Sequence, residues 1–264
     1  MIREPQAKGF YPHDKDTLTK MLSQLLTSAE KTAVPNSVTH GVVPHAGYLY
    51  SGLAAAILFK SLKPASQIII LGVDHFANCS DICLHTYDSW KTPLGSVRVS
   101  SDLTESIAAQ LDPELTCSSQ EHSIEVQLPF LQYLWGSKNF EVLPITVPAV
   151  PKGRLRDLGE VLSKLPADIP IIASSDMTHF RSKSDAMKLD AMAIDRIVDV
   201  DPIGLLSTVD EFGISMCGVY PVSAMLHSLP TKKKGKLMVY YTSGDITGDE
   251  GSVVGYASIG FGNL

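Results

Sequence analysis

The chain has 264 residues, 44% hydrophobic and 19% charged, with a formal charge of −6. This mixture excludes wholesale disorder, and a chain of that length buries roughly 70–75% of its unfolded surface without needing disulfides or metal to fold. The acidic balance excludes a broad basic face for nucleic acid or an anionic membrane, and the one basic cluster (Lys232, Lys233, Lys234, Lys236) reads as a solvated turn.

Met1-Ile2-Arg3-Glu4-Pro5 lacks the apolar core of a signal peptide. The longest apolar run, Leu53 to Phe59, is too short to span a bilayer. Cys79, Cys83, Cys117 and Cys217 form no CxxC pair, so reduced thiols in a cytoplasmic protein are expected. Cys79 and Cys83 match no zinc-finger spacing, and alternation along a strand accounts for them.

The first element is an amphipathic helix from Asp16 to Lys31, with Leu18, Met21, Leu22, Leu25 and Leu26 at helical spacing. Val38–Val43 reads as a strand, followed by a Gly/Pro turn and a helix from Ser51, its expected N-cap, to Leu62. Gln67–Leu71 is apolar at consecutive positions, the pattern of a strand covered on both faces. Strands are expected at Ile82–Tyr87 and Ser96–Val99, then helices at Asp102–Leu111 and Ser123–Leu134. A strand at Glu141–Val147, a helix at Lys152–Leu165 and a strand from Pro170 to about Ser175 come next. A long helix, Lys183–Val198, precedes a short one near Pro221–Ser228. Two strands, Leu237–Thr242 and Val253–Gly260, close the chain. The alternation predicts a single α/β domain over residues 1–264, with a mainly parallel or mixed central sheet and helices on both faces.

In such sheets ligands bind beyond the carboxyl ends of the strands. His45, His75 and His179 each follow a predicted buried strand, so the topology brings all three to one edge. Neutral imidazole is a common ligand for zinc, copper and iron, which makes a metal the first expectation. Metal-free acid–base chemistry by an Asp176–His179 pair is the rival. A mononuclear site normally takes three protein ligands and leaves a position open. For the third ligand the residues leave two choices: Asp176, or Cys217 shortly before a helix start, where a thiolate is favoured. His122 and Glu125 stand one helical turn apart and are candidates for a pocket wall, against a solvated acidic helix start.

Several ordered blocks resemble the Memo family. They are Pro44-His45-Ala46-Gly47-Tyr48 with Tyr50-Ser51-Gly52, Leu71-Gly72-Val73-Asp74-His75, and Glu121-His122-Ser123-Ile124-Glu125 running on to Phe130. Ser174-Ser175-Asp176-Met177-Thr178-His179, Cys217-Gly218 and Thr242-Ser243-Gly244-Asp245 complete the set. The resemblance implies a fold like that of class III extradiol dioxygenases, which open catechol-like rings with non-haem Fe(II). It implies His45, His75 and Cys217 as metal ligands, His179 as the acid–base residue and Asp176 as its orienting partner. Tyr50, Asp74, His122 and Glu125 would line or support the pocket. The dioxygenases carry a carboxylate where this chain has Cys217. Thiolate is the softer donor, suiting copper, zinc or thiolate-ligated iron.

The resemblance thus implies one transition-metal ion, Fe(II) or Cu first and Zn next, in a redox enzyme. The alternatives are a non-catalytic peptide or small-ligand module using the same pocket, and a metal-dependent hydrolase. It also implies a functional link to radical-SAM proteins, beside which archaeal and bacterial relatives tend to be encoded.

Overall fold

The computed structural model describes residues 1–264 apart from 116, 118, 119, 231 and 264. In chain order the strands are Ile2–Arg3 (β1), Val38–Val43 (β2), Gln67–Gly72 (β3), Cys83–Leu84 (β4), Ser89–Thr92 (β5) and Gly95–Val99 (β6). Glu141–Thr146 (β7), Ile171–Ser174 (β8), His179–Arg181 (β9), Lys236–Thr242 (β10) and Val253–Gly262 (β11) follow. The helices are Lys15–Ser28 (α1), Tyr48–Ser61 (α2), Ser101–Leu111 (α3), Leu128–Trp135 (α4), Lys152–Ser163 (α5), Lys183–Val198 (α6), Pro202–Phe212 (α7), Val219–Ser228 (α8) and Gly244–Thr247 (α9).

Among the described residues the sheet has 11 strands in the order β1-β5-β6-β7-β3-β8-β2-β11-β10, with β4 on β7 and β9 on β11. Its middle, from β6 to β2, is parallel. Its flanks, β5 on β6 and β10 on β11 on β2, are antiparallel. The domain is therefore mixed α/β, with the parallel core that strand–helix alternation predicts.

Successive residues of the central strands feed opposite cores. Ile69, Leu71 and Ala173 pack with α5, α6, α7 and α8 on one face. Ile68, Ile70 and Ile172 pack with α1, α2 and α4 on the other. Burial on both faces is why these strands are apolar without alternation. No helix among the described residues is long and apolar enough to cross a membrane.

The departures from the sequence reading have local causes. Helix α2 starts at Tyr48 with Gly47 as its cap, and Ser51 sits inside it, its hydroxyl donating to the Ala46 carbonyl. The expected Ser123–Leu134 helix is a 3-10 turn, Glu125–Gln127, followed by α4, because Pro129 at the first turn has no N–H to continue the earlier one. Helix α7 escaped the sequence reading, with Pro202 and Gly204 in its first turn. The expected Ile82–Tyr87 strand shrinks to β4, and strands β1, β5 and β9 are too short for a periodic signal.

The expectation of four reduced thiols is overturned at two of them: Cys83 and Cys117 are joined in a disulfide. The segment after α3 runs beside β4, with Leu84 N–H donating to the Glu114 carbonyl and Glu114 N–H donating to that of Ile82. That pairing brings Cys117 across from Cys83, a contact between residues 34 apart that spacing alone does not announce.

The amino-terminal segment is held by a buried charge pair. The Arg3 guanidinium lies 2.5 Å from the Glu125 carboxylate, and the two are 1% and 0% exposed. Glu125 also accepts from the Gln6 and Ala7 N–H groups and from the Tyr11 hydroxyl. Arg3 stacks over Trp90 at 3.9 Å and donates to the Glu121 carbonyl. Removing one partner of such a pair leaves a buried charge uncompensated. Glu125→Ala is therefore expected to cost about 3–5 kcal/mol in denaturant unfolding, with the Arg3→Met/Glu125→Leu double variant recovering most of it. Equal losses in both would show that packing, not charge, carries the effect.

Candidate metal centre

Strands β3, β8 and β2 are adjacent, with Val43 opposite Ser174 and Leu71 opposite Ala173. The turns leaving their carboxyl ends carry His75, Asp176 and His45. Cys217 arrives from the segment between α7 and α8. The next residue must be glycine, since a Cβ at Gly218 would lie 2.4 Å from the Ser175 Cβ and 2.5 Å from the Ser174 carbonyl oxygen. The donor atoms of His45, His75 and Cys217 all lie within 4.8 Å of one another.

Hydrogen bonding decides which ring nitrogens are available. Ser174 spends its one hydroxyl proton on the Ser123 carbonyl, so its oxygen accepts from His45 Nδ1 at 2.9 Å. That puts the His45 lone pair on Nε2, which faces Cys217 Sγ at 3.2 Å. His75 Nδ1 donates to Glu121 at 3.0 Å, and His179 Nδ1 donates to the Ser215 carbonyl at 2.8 Å. In all three rings Nδ1 is tied down and Nε2 is left to act.

Glu121, 1% exposed, is the residue that sequence reasoning missed. Besides the His75 ring it accepts the N–H groups of His75, His122 and Ser123. Burial works against its charge, but the His75 hydrogen bond and charge and these N–H groups outweigh it, holding the carboxyl well below the usual carboxylate range. The same contact raises the pKa of His75 against its burial. Burial pushes His45 down to about 3, with help from the neighbouring His75, so its ring is neutral at ordinary pH. Burial, then the Asp176 charge, pushes the Cys217 thiol up. A bound cation would reverse that preference, because thiolate is the form that coordinates.

The carboxylate of Asp176 does not orient His179. It accepts the backbone N–H of His45 at 2.8 Å and of Ala46 at 3.3 Å, while its own N–H donates to Cys217 Sγ at 3.2 Å. Asp176 thus ties the His45 turn to the cysteine, and the Ser215 carbonyl takes over the steering of His179. Its nearly dry position pushes its carboxyl pKa up.

The remaining pocket candidates separate. The His122 ring stacks on His75 at 4.7 Å and stands edge-on to His45 at 5.7 Å, so it belongs to the cluster. Burial lowers its pKa to about 4. Glu125 faces Arg3, away from the imidazoles. Asp74 accepts the N–H groups of Asn78 and Cys79, fixing the turn after β3. The Tyr50 carbonyl accepts from the Tyr241 hydroxyl at 2.9 Å. Gln127, also missed, donates to the Pro44 carbonyl and to Ser174, bracing the His45 turn from below. A second grouping, Cys79, Cys83 and Glu114, is no counterpart, since Cys83 is already in the disulfide.

Two imidazoles and a thiol within this radius fit a transition ion. Bonds of about 2.0–2.3 Å place tetrahedral ligand atoms roughly 3.3–3.8 Å apart. The set is softer than two histidines and a carboxylate, and is compatible with iron, copper or zinc.

The profile described as Memo-like protein matches residues 3–260, nearly the whole chain. The chain belongs to the Memo family. MEMO1 family proteins of Methanopyrus kandleri and Methanosarcina acetivorans are each 36% identical to it, over 99% and 98% of both chains respectively. That of Aquifex aeolicus is 35% identical over 98% of this chain and 99% of its own length. Among solved structures, an uncharacterized protein from Escherichia coli K12 superposes with a TM-score of 0.58 at 12% identity. The match covers 84% of this chain and 98% of that one, a likeness of fold alone.

In this Memo-family chain Glu121 sets both the tautomer and the position of His75. Glu121→Ala is expected to weaken zinc or iron binding roughly 10–100-fold in a competition titration. Unchanged affinity would show that His75 is no ligand or needs no such support.

Proposed function

We propose that this chain is a metal-dependent redox enzyme in which His45, His75 and Cys217 hold one transition-metal ion and His179 moves a proton. The observation that carries the reading is the common fixing of the imidazoles: each Nδ1 is bonded away and the Nε2 of His45 is turned toward Cys217. Fe(II) and Cu are the preferred ions, and Zn suits the same donors. When bound, the ion would supply activation of O2 or of a chelating substrate.

The chain's own residues do the rest. His179 is half-buried on β9 and near enough to influence His45 and Asp176 electrostatically. Its Nε2 takes a proton from a substrate hydroxyl, and the Ser215 carbonyl on Nδ1 stabilises the imidazolium that forms. Asp176 holds the His45 turn and Cys217 in register. His122 closes the wall beside His75 and keeps that ring from swinging.

Metal analysis after anaerobic, tag-free purification tests the ligands. Wild type is expected to carry about one ion per chain and Cys217→Ser at least roughly tenfold less; equal, negligible content in both would end the metal reading. Oxygen uptake by iron- or copper-loaded protein with a panel of catechols tests the reaction. His179→Ala is expected to keep its metal and lose roughly 100–10,000-fold in rate. Undiminished turnover would remove the proton-transfer role, and metal binding without any uptake would favour a binding module.

A further inference from the structure

The disulfide has a third cysteine beside it. The sulfurs of Cys79 and Cys83 and a carboxylate oxygen of Glu114 lie within 4.8 Å of one another, while Cys83 is bonded to Cys117. Cys79 is in no disulfide and is half-buried, as is Cys117, whereas Cys83 is fully buried in β4. The buried sulfur therefore sits between two partners, one bonded to it and one within a short approach of it.

Each partner leads to one side of the histidine cluster. Cys79 N–H donates to the Asp74 carboxylate at 2.8 Å, and Asp74 precedes His75. Cys117 lies four residues before Glu121, which holds the His75 ring and carries His122 next to it. The Cys83–Cys117 bond thus covalently anchors the arm that bears Glu121 and His122. A Cys79–Cys83 bond would anchor the His75 turn instead.

We propose that Cys79, Cys83 and Cys117 form an internal thiol–disulfide exchange site that moves this anchor between the two arms. The Cys79 thiol gives up its proton and its sulfur bonds to Cys83 Sγ. The Cys83–Cys117 bond breaks, its electron pair leaves on Cys117 Sγ, and that sulfur takes up a proton. One disulfide and one thiol exist before and after, so the exchange needs no external oxidant or reductant. Glu114 keeps the exchanging segment in place: its carboxylate accepts from the N–H groups of Ser80 and Asp81 and from the Ser80 hydroxyl. The proposal holds whether or not a metal binds.

The test is disulfide mapping by mass spectrometry after non-denaturing alkylation in a glutathione redox buffer. Full-length wild type is expected to give both Cys83–Cys117 and Cys79–Cys83 peptides, with alkylated Cys117 in the second population. Cys117→Ser is expected to form Cys79–Cys83, and Cys79→Ser to retain Cys83–Cys117 with no labelled Cys117. Absence of any Cys79–Cys83 linkage from both wild type and Cys117→Ser overturns the proposal, and the wild-type result stands even if a variant folds poorly. Hydrogen exchange reads the anchor: the His122 and Ser123 amides are expected to exchange roughly tenfold faster in Cys117→Ser than in Cys79→Ser. Equal rates would overturn the transfer of the anchor between arms.

Discussion

Parallel pairing of β2, β8 and β3 is the constraint on which the site depends. Because Val43 lies opposite Ser174 and Leu71 opposite Ala173, three chain segments leave the sheet at one level. They are widely separated in sequence, yet their first few residues have nowhere to go except one shared crevice. The covering helices make those strands a rigid base. A slip of one residue would turn Ile69 and Leu71 out of their core and move the histidine turns with them.

On that base, buried polar groups do the aiming. Ser174 and Glu121 each satisfy backbone and imidazole groups together, so ring orientation and turn geometry are fixed by the same oxygens, while Asp176 holds the His45 and Ala46 amides. In a low-dielectric interior a half-satisfied network of this kind would be costly, which restricts what can replace its members. The pairing of Arg3 with Glu125 belongs to the same scheme one layer out. Through the bond from Arg3 to the Glu121 carbonyl, the amino-terminal segment supports the residue that steers His75.

The likeness to Memo relatives and to a distant solved fold has different reach in the two cases. Identity of about 35% along nearly the full length places the chain in its family. At 12% identity a shared superposition speaks only of strand order and helix packing.

Uninterrupted apolar runs such as Ile68-Ile69-Ile70-Leu71 and the 3.6-residue periods of α1 and α6 determined the α/β class and the buried strands, because burial on both faces or on one helical face writes itself into consecutive residues. The same reading put His45, His75 and His179 at strand ends. Tertiary structure alone decided the partners. Glu121 looks like one more acid until folding lays it against His75, and Asp176 looks like a partner for His179 until its oxygen is seen on the His45 and Ala46 amides. Cys83 and Cys117 meet only because the segment after α3 runs beside β4. Periodicity records which face of an element is buried. It carries nothing about contacts between segments far apart in the chain, and those contacts fix the tautomers, the charge states and the disulfide.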